Sequence, residues 1–250
     1  MEVHAHAHTE RKRVKHYLFE FFMLFLAVFC GFLAENWREH VVEHEREKQY
    51  AHTLYEDIKA DTSSIAAVIE DCGYATTRVD TFRTMVQTQE INSLPTGTWY
   101  YYGRFGTRSF SIAFQDATLE QLKSSGGLRY FKNQDVVNAI AHYDQQRRRF
   151  QTDLNLQDFT YNDIIKARNQ IFNAFYLDEI MRTDISISKI DSFKHKTMPL
   201  LSNKREDFIQ YANLCQLRCY NNRSMMLAAK ELLENGIALL TVLKKEYHLE

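Results

Sequence analysis

The chain has 250 residues, of which 13% are aromatic and 25% are charged, a composition typical of a folded protein rather than a disordered one. A formal net charge of -1 gives no reason to expect a nucleic acid as a partner, and 4 cysteines are too few for a disulfide scaffold. With 2 prolines and 8 glycines, the sequence favours long helices over many turns. We therefore expect a mainly α-helical protein.

Residues 1–16 form a short, basic, histidine-rich tail. Three alternating histidines are weak candidates for binding a transition metal, and otherwise they add pH-dependent charge beside lipid headgroups: His4, His6 and His8.

Residues 17–36 are predicted to be a transmembrane helix. The stretch from Tyr17 to Ala34 is apolar except for Glu20, which meets the lower length limit of about 17 residues for crossing a bilayer. Tyr17 and Trp37 suit the two water interfaces. Bulky neighbours around the small residues make a cleaved signal peptide a poor alternative, and a buried helix of a soluble protein is the other alternative.

Charge predicts the orientation of this span. Basic residues precede it at positions 11, 12, 13 and 15, whereas acidic residues outnumber basic ones between positions 35 and 48. Because positive charge is retained in the cytoplasm, we expect a cytoplasmic N-terminus and residues 37–250 in the periplasm of a bacterium, with the span in the inner membrane.

One face of the span carries small and acidic residues: Glu20, Ala27, Gly31, Ala34 and Glu35. Ala27 and Gly31 form a small-xxx-small pair that permits close approach of another helix. This pattern predicts packing against a membrane protein partner or a second copy of the chain. Alternatively, the two glutamates only reach towards the membrane boundaries.

Four segments resemble an uncharacterised family of bacterial single-pass inner-membrane proteins: "HYLFEFFMLFLAVFCGFLAENWREH", "EREKQY", "LEQLKSSGGLRYF" and "LKKEYH". The resemblance covers most of the chain, and the span with the charged stretch after it is the specific part. It implies architecture and location only, because the family has no known function and supplies no catalytic residues.

After the span, one long helix is predicted from Asn36 to about Gln89. Its apolar residues recur at steps of three and four, as in a helix that packs along its whole length. The sequence leaves open whether this seam is covered within the chain or by another chain. The seam consists of Ala51, Tyr55, Ile58, Thr62, Ile65, Ile69, Cys72, Thr76, Val79, Phe82 and Val86.

Residues 90–116 are rich in glycine and aromatic residues and are predicted to be an irregular or hairpin excursion. Aromatic loops on a rigid scaffold often bind ligands, although these residues also suit packing on the end of a bundle. The candidate binding loop contains Trp99, Tyr100, Tyr101, Tyr102, Arg104 and Phe105.

Three further helices are predicted. A short helix spans 116–123, is capped by Asp116 and is ended by "SSGG". A long helix spans about 135–176, and a last helix runs from Ser202 or Asn203 to about Tyr247 after a connector at 183–201. The predicted fold is a membrane helix that continues into a periplasmic helical bundle.

Two patterns bear on chemistry. "HVVEH" places His40 and His44 at the spacing of an inverted zinc-peptidase motif, with Glu43 as the base. The context is unfavourable, because such a site needs a third ligand and a closed cleft. Cys72, Cys215 and Cys219 are expected to be buried free thiols, and a disulfide from Cys72 to Cys215 or Cys219 across the bundle is the alternative.

The sequence thus predicts a non-enzymatic protein without a cofactor, acting as an accessory or scaffold subunit through its span and helical domain. Its expected partners are the lipid bilayer and a membrane protein or a second copy of the chain, with no nucleic acid. The first alternative is a periplasmic ligand sensor that signals through a partner. A zinc-dependent hydrolase at the HxxEH motif is a remote alternative.

Overall fold

The computed structural model describes residues 14–156, 160–181 and 187–249. These residues are mainly helical and contain no strand. The α-helices, in chain order, are α1 (Val14–Thr88), α2 (Thr96–Gly103), α3 (Ala117–Ser124), α4 (Gln134–Leu156), α5 (Tyr161–Ile171), α6 (Ala174–Met181), α7 (Ile187–Lys194) and α8 (Arg205–Tyr247).

The chain divides into two units, Met1–Tyr50 and Ala51–Glu250. In the first unit, the described residues belong to α1, and nearly all of them are exposed. This helix is long and apolar enough to cross a membrane, and none of its most apolar window of 18 residues is buried within the chain.

In the second unit, the predicted seam of α1 is covered by the same chain. Nine of its eleven residues are buried, and Thr62 and Ile69 are half-buried. The spacing of apolar residues therefore predicted the buried face correctly. The structure also answers the question that the sequence left open, because the partners of the seam come from within the second unit.

The second unit is a helical bundle in which α8 contacts both α4 and α5. Gly236 allows α8 to approach α1 closely, since a Cβ atom at this position would lie 2.7 Å from the Thr62 methyl group. Phe82 of α1 lies at the centre of a cluster of buried rings with centroids 5.3 to 6.4 Å away: Trp99, Phe172, Phe208 and Tyr211.

The segment predicted as an irregular or hairpin excursion is helical over residues 91–93 and 96–107, whereas residues 108–116 are irregular as predicted and form no hairpin. It forms α2 and then a 3-10 turn, Arg104–Thr107. A hairpin would direct alternate side chains to opposite faces, but Trp99, Tyr100 and Tyr101 are consecutive and all buried. A helix surrounded on several sides accommodates three consecutive buried rings, whereas a two-stranded ribbon with one open face does not.

The single long helix predicted over 135–176 is also wrong, because within the described residues α5 ends at Ile171. Phe172 has an extended backbone, with φ -108° and ψ 130°, and its side chain is buried beside Phe82. Asn173 then starts the next turn by accepting a hydrogen bond from the Phe175 N–H through its side chain, at 3.1 Å. Burial of Phe172 thus competes with continuation of the helix.

The short helix α3 lies where it was predicted. Gly126 follows it with φ 68°, the left-handed conformation expected for the glycines of "SSGG". Asp116 occupies the N-cap position but makes no capping hydrogen bond through its side chain, so its predicted capping role is wrong. The last helix, α8, ends at Tyr247 as predicted.

Candidate functional site

The predicted packing face of the span is open within the chain. Ala27, Gly31 and Ala34 are all exposed, and a Cβ atom added at Gly31 would meet nothing within 4 Å. At the two ends, Glu20 lies 3.1 Å from His16, and Glu35 accepts hydrogen bonds from Arg38. Both glutamates are therefore drawn towards a basic side chain one turn away.

The six residues of the predicted binding loop separate into two groups. Trp99 and Tyr100 belong to the core: Trp99 donates a hydrogen bond to the carbonyl of Ile91 at 3.1 Å, and Tyr100 donates one to the carbonyl of Pro199 at 2.8 Å. The other four residues lie at or beside the start of the 3-10 turn, and Arg104 and Phe105 line a small cavity.

This cavity, which we call the arginine pocket, has a volume of about 80 Å³. It is lined by Arg104, Phe105, Thr107 and Arg108. The 3-10 turn supplies the first three of these residues, and Arg108 follows directly, so the pocket is built on a continuous stretch of backbone. Phe105 and Thr107 are buried, Arg104 is half-buried and Arg108 is exposed.

Arg104 lies between aromatic rings. Its guanidinium carbon is 5.2 Å from the centre of the Tyr101 ring and 4.6 Å from that of Phe105, within the range of cation–π contacts. Its Nε atom is buried without a hydrogen-bond partner, and no carboxylate of the described residues forms an ion pair with it. Burial lowers the pKa of Arg104, and the charge of Arg108 acts in the same direction.

Arg108 is held in place by Asp71 of α1. Its Nη2 atom lies 2.6 and 2.8 Å from the two carboxylate oxygens, and its Nε lies 3.2 Å from one of them. This paired geometry fixes the plane of the guanidinium group. Among the contacts of the described chain, Nη1 of Arg108 makes no hydrogen bond, so it is available to a ligand.

More positive charge surrounds the pocket from other helices. Arg168 of α5 donates a hydrogen bond to the Thr107 hydroxyl at 2.9 Å, and the buried Arg218 of α8 donates one to the carbonyl of Arg108 at 2.8 Å. Arg78 of α1 lies over the ring of Tyr74, and that ring contacts Phe105 edge to face. Two helices, α5 and α8, therefore direct arginines to the 3-10 turn and the residue that follows it.

A buried carboxylate lies elsewhere in the second unit. Asp61 of α1 accepts hydrogen bonds from the Tyr143 hydroxyl at 2.9 Å and from the Gln115 N–H at 2.7 Å. Burial raises the pKa of Asp61, while these two hydrogen bonds and the charge of Arg147 act against the rise. The arrangement links three segments of the bundle through one carboxylate.

The disulfide considered as an alternative between Cys72 and either Cys215 or Cys219 is not formed, and the buried free thiols favoured by the sequence are present. All three cysteines are buried free thiols, and Cys72 donates a weak hydrogen bond to the carbonyl of Asn222 at 3.7 Å. Burial raises the pKa of Cys72 to about 11, of Cys215 to about 12 and of Cys219 to about 11.

The HxxEH histidines each face an acidic neighbour. Nδ1 of His40 lies 3.9 Å from Glu43, and Nδ1 of His44 lies 3.2 Å from Glu47. In the described part of the chain, no group of three or more histidine, cysteine or acidic side chains is placed to hold a metal ion. His4, His6 and His8 lie outside the described residues.

Comparison with protein-family models, with curated proteins and with solved structures finds no match to this chain. Two features of the chain bear on its function, the exposed apolar helix and the arginine pocket. Sequence reasoning selected Arg104 and Phe105 but missed Arg108, although it lies in the same glycine- and aromatic-rich segment. Arg168 and Arg218 carry no signal in the sequence, because only the fold brings them to the turn.

Proposed function

We propose that the chain is a single-span membrane protein that acts as an accessory or scaffold subunit, binding a membrane protein partner or a second copy of itself through its span. The observation that carries this proposal is the exposure of the apolar window of α1, none of which is buried by its own chain. A long apolar surface of this kind needs a non-aqueous environment, which a bilayer provides.

Within the span, the face that carries Ala27 and Gly31 is the proposed surface for a partner helix. Gly31 has open space around it, so its lack of a side chain serves no close contact within the chain. Together with Ala27 it fits close packing against another helix in a membrane. The seam of α1 is already covered within the second unit and offers no surface to a partner, whereas the face of the span is exposed.

The charge pattern supports an inner-membrane location in a bacterium. The basic residues before the span favour a cytoplasmic N-terminus, and the acidic excess after it favours a periplasmic helical domain. The resemblance to bacterial single-pass proteins agrees with this location and adds no activity.

Gentle detergent extraction at native expression level, followed by measurement of the native mass and identification of co-eluting proteins, tests the proposal. We expect the chain to elute with a stoichiometric partner or as a defined oligomer. Gly31→Leu should weaken this assembly, because it fills the space that a partner helix would occupy. Leu33→Phe is the matched control, since Leu33 lies about 200° further round the helix.

Both variants should remain in the membrane fraction after alkaline carbonate extraction, which separates insertion from assembly. A wild-type chain that elutes as a monomer with nothing bound would contradict the subunit role. Release of the chain by carbonate would contradict the span itself.

A periplasmic ligand sensor is the second candidate function, and the arginine pocket is the observation that favours it. The pocket combines a small cavity with a guanidinium group that no described carboxylate neutralises. In that role the second unit would bind the ligand, and a membrane partner would carry the response.

A further inference from the structure

We propose that the arginine pocket binds a small oxyanion, a phosphate or a carboxylate group, through Arg104 and Arg108. This inference names the ligand class of the sensor candidate and rests on the pocket alone. It does not depend on the span or on a membrane partner, so it can fail without affecting the subunit proposal.

The charge around the pocket favours an anion. Some arginines near the surface of the second unit pair with a carboxylate, as Arg83 and Arg223 do with Asp80. At the pocket, Asp71 pairs with Arg108, and no described carboxylate pairs with Arg104. A half-buried cation without a counter-ion is costly, and an anion entering the pocket would supply the missing charge.

The geometry of the two arginines also suits an oxyanion. The Asp71 carboxylate holds the guanidinium group of Arg108 through Nη2 and Nε, which leaves its Nη1 for a second acceptor. Arg104 is confined between the rings of Tyr101 and Phe105, so it loses little conformational freedom when it binds. Two pre-positioned guanidinium groups suit the planar, two-oxygen recognition of carboxylates and phosphates.

The size of the pocket limits the ligand. A volume of about 80 Å³ accommodates a few water molecules and therefore a single oxyanion group, but not a nucleotide or a peptide side chain together with its backbone. Phe105 and the buried Thr107 close the inner side of the pocket, while the exposed Arg108 lies at its edge. The rest of a larger ligand would therefore remain outside the pocket.

The test is isothermal titration of the full-length chain in detergent micelles with inorganic phosphate and, separately, with acetate. We expect saturable binding of at least one of them. Tighter binding of phosphate would assign a phosphate-bearing ligand, and tighter binding of acetate would assign a carboxylate. No saturable binding of either anion at millimolar concentration would overturn the proposal.

Arg104→Gln should weaken binding by about tenfold to a hundredfold, the range expected for loss of a charge-assisted hydrogen bond. Arg149→Gln is the matched control, because it removes the same charge from an exposed position on α4. Equal weakening by both variants would show a general charge effect and overturn the assignment. If Arg104→Gln does not fold, Arg104→Lys carries the test, since it keeps the charge but loses the two-donor fork.

Discussion

The hydrogen bond between Tyr143 and Asp61 provides a direct test of how the bundle is held together. Both side chains are only 1% exposed, and the Tyr143 hydroxyl donates to Oδ2 of Asp61 at 2.9 Å. Tyr143→Phe removes this donor and leaves the apolar ring in place. Because a hydrogen bond to a charged group contributes about 1.5 to 3 kcal/mol, we expect the free energy of unfolding to fall by about 2 kcal/mol.

The loss should also depend on pH. Burial raises the folded-state pKa of Asp61 above its unfolded value, so its ionisation costs stability as the pH rises through the folded pKa. The Tyr143 hydroxyl lowers that pKa, and its removal therefore raises the pKa further. Tyr143→Phe should consequently cost more at neutral pH than at acidic pH, where Asp61 is protonated in both states.

Urea unfolding of the full-length chain in detergent, followed by the helical circular dichroism signal, measures these differences. Tyr220→Phe is the matched control, because Tyr220 is 70% exposed and its variant should change the free energy by no more than about 0.5 kcal/mol. In an Asp61→Asn background, Tyr143→Phe should cost about 1 kcal/mol less than in the wild type. A loss that is the same at every pH and in both backgrounds would refute the role assigned to the carboxylate.

Three further predictions concern packing, thiols and the pocket. Gly103→Ala should lower the free energy of unfolding by about 1 to 3 kcal/mol, because the added Cβ would lie 2.6 Å from the buried ring of Phe172. Gly73→Ala is the control and should not lower it, because the nearest atom to its added Cβ is 3.7 Å away. In a Cys30→Ser chain, maleimide should label no thiol in the native protein and three in denaturant, since the remaining cysteines are buried; native labelling would contradict this burial. Arg104→Gln should change the free energy of unfolding in anion-free buffer by no more than about 1 kcal/mol. The loss of the cation–π contacts destabilises the fold, whereas the loss of a partly buried charge stabilises it. A larger loss of stability would indicate a structural role for Arg104.

The helices that the sequence predicted well are those whose periodicity is uninterrupted. The seam of α1 repeats at steps of three and four over several turns, and each step places an apolar side chain on the same face. This local pattern was sufficient to predict the buried face. It did not identify the covering helices, since the contact of α8 with Thr62 through Gly236 joins distant parts of the chain.

The errors occur where tertiary packing overrides local preference. Apolar residues continue past Ile171 at helical spacing, yet Phe172 leaves the helix because its ring is buried beside Phe82. Glycines and consecutive aromatic residues in 90–116 favoured a loop or hairpin. In the fold, the same aromatic residues are surrounded by other helices, and burial on several sides stabilises a helix there.

The arginine pocket shows why the candidate site was only half visible in the sequence. Arg104 and Arg108 are neighbours in the chain, but Arg168 is 61 positions from Thr107, and Arg218 is 110 positions from Arg108. Each of these two arginines brings positive charge towards the same turn, where Asp71 is the carboxylate that pairs with Arg108. Arg104 is half-buried with an unpaired Nε atom, so holding its charge at this turn is costly. An anion that binds at this turn would convert that cost into a gain in stability, and this is the physical reason for assigning the pocket a ligand.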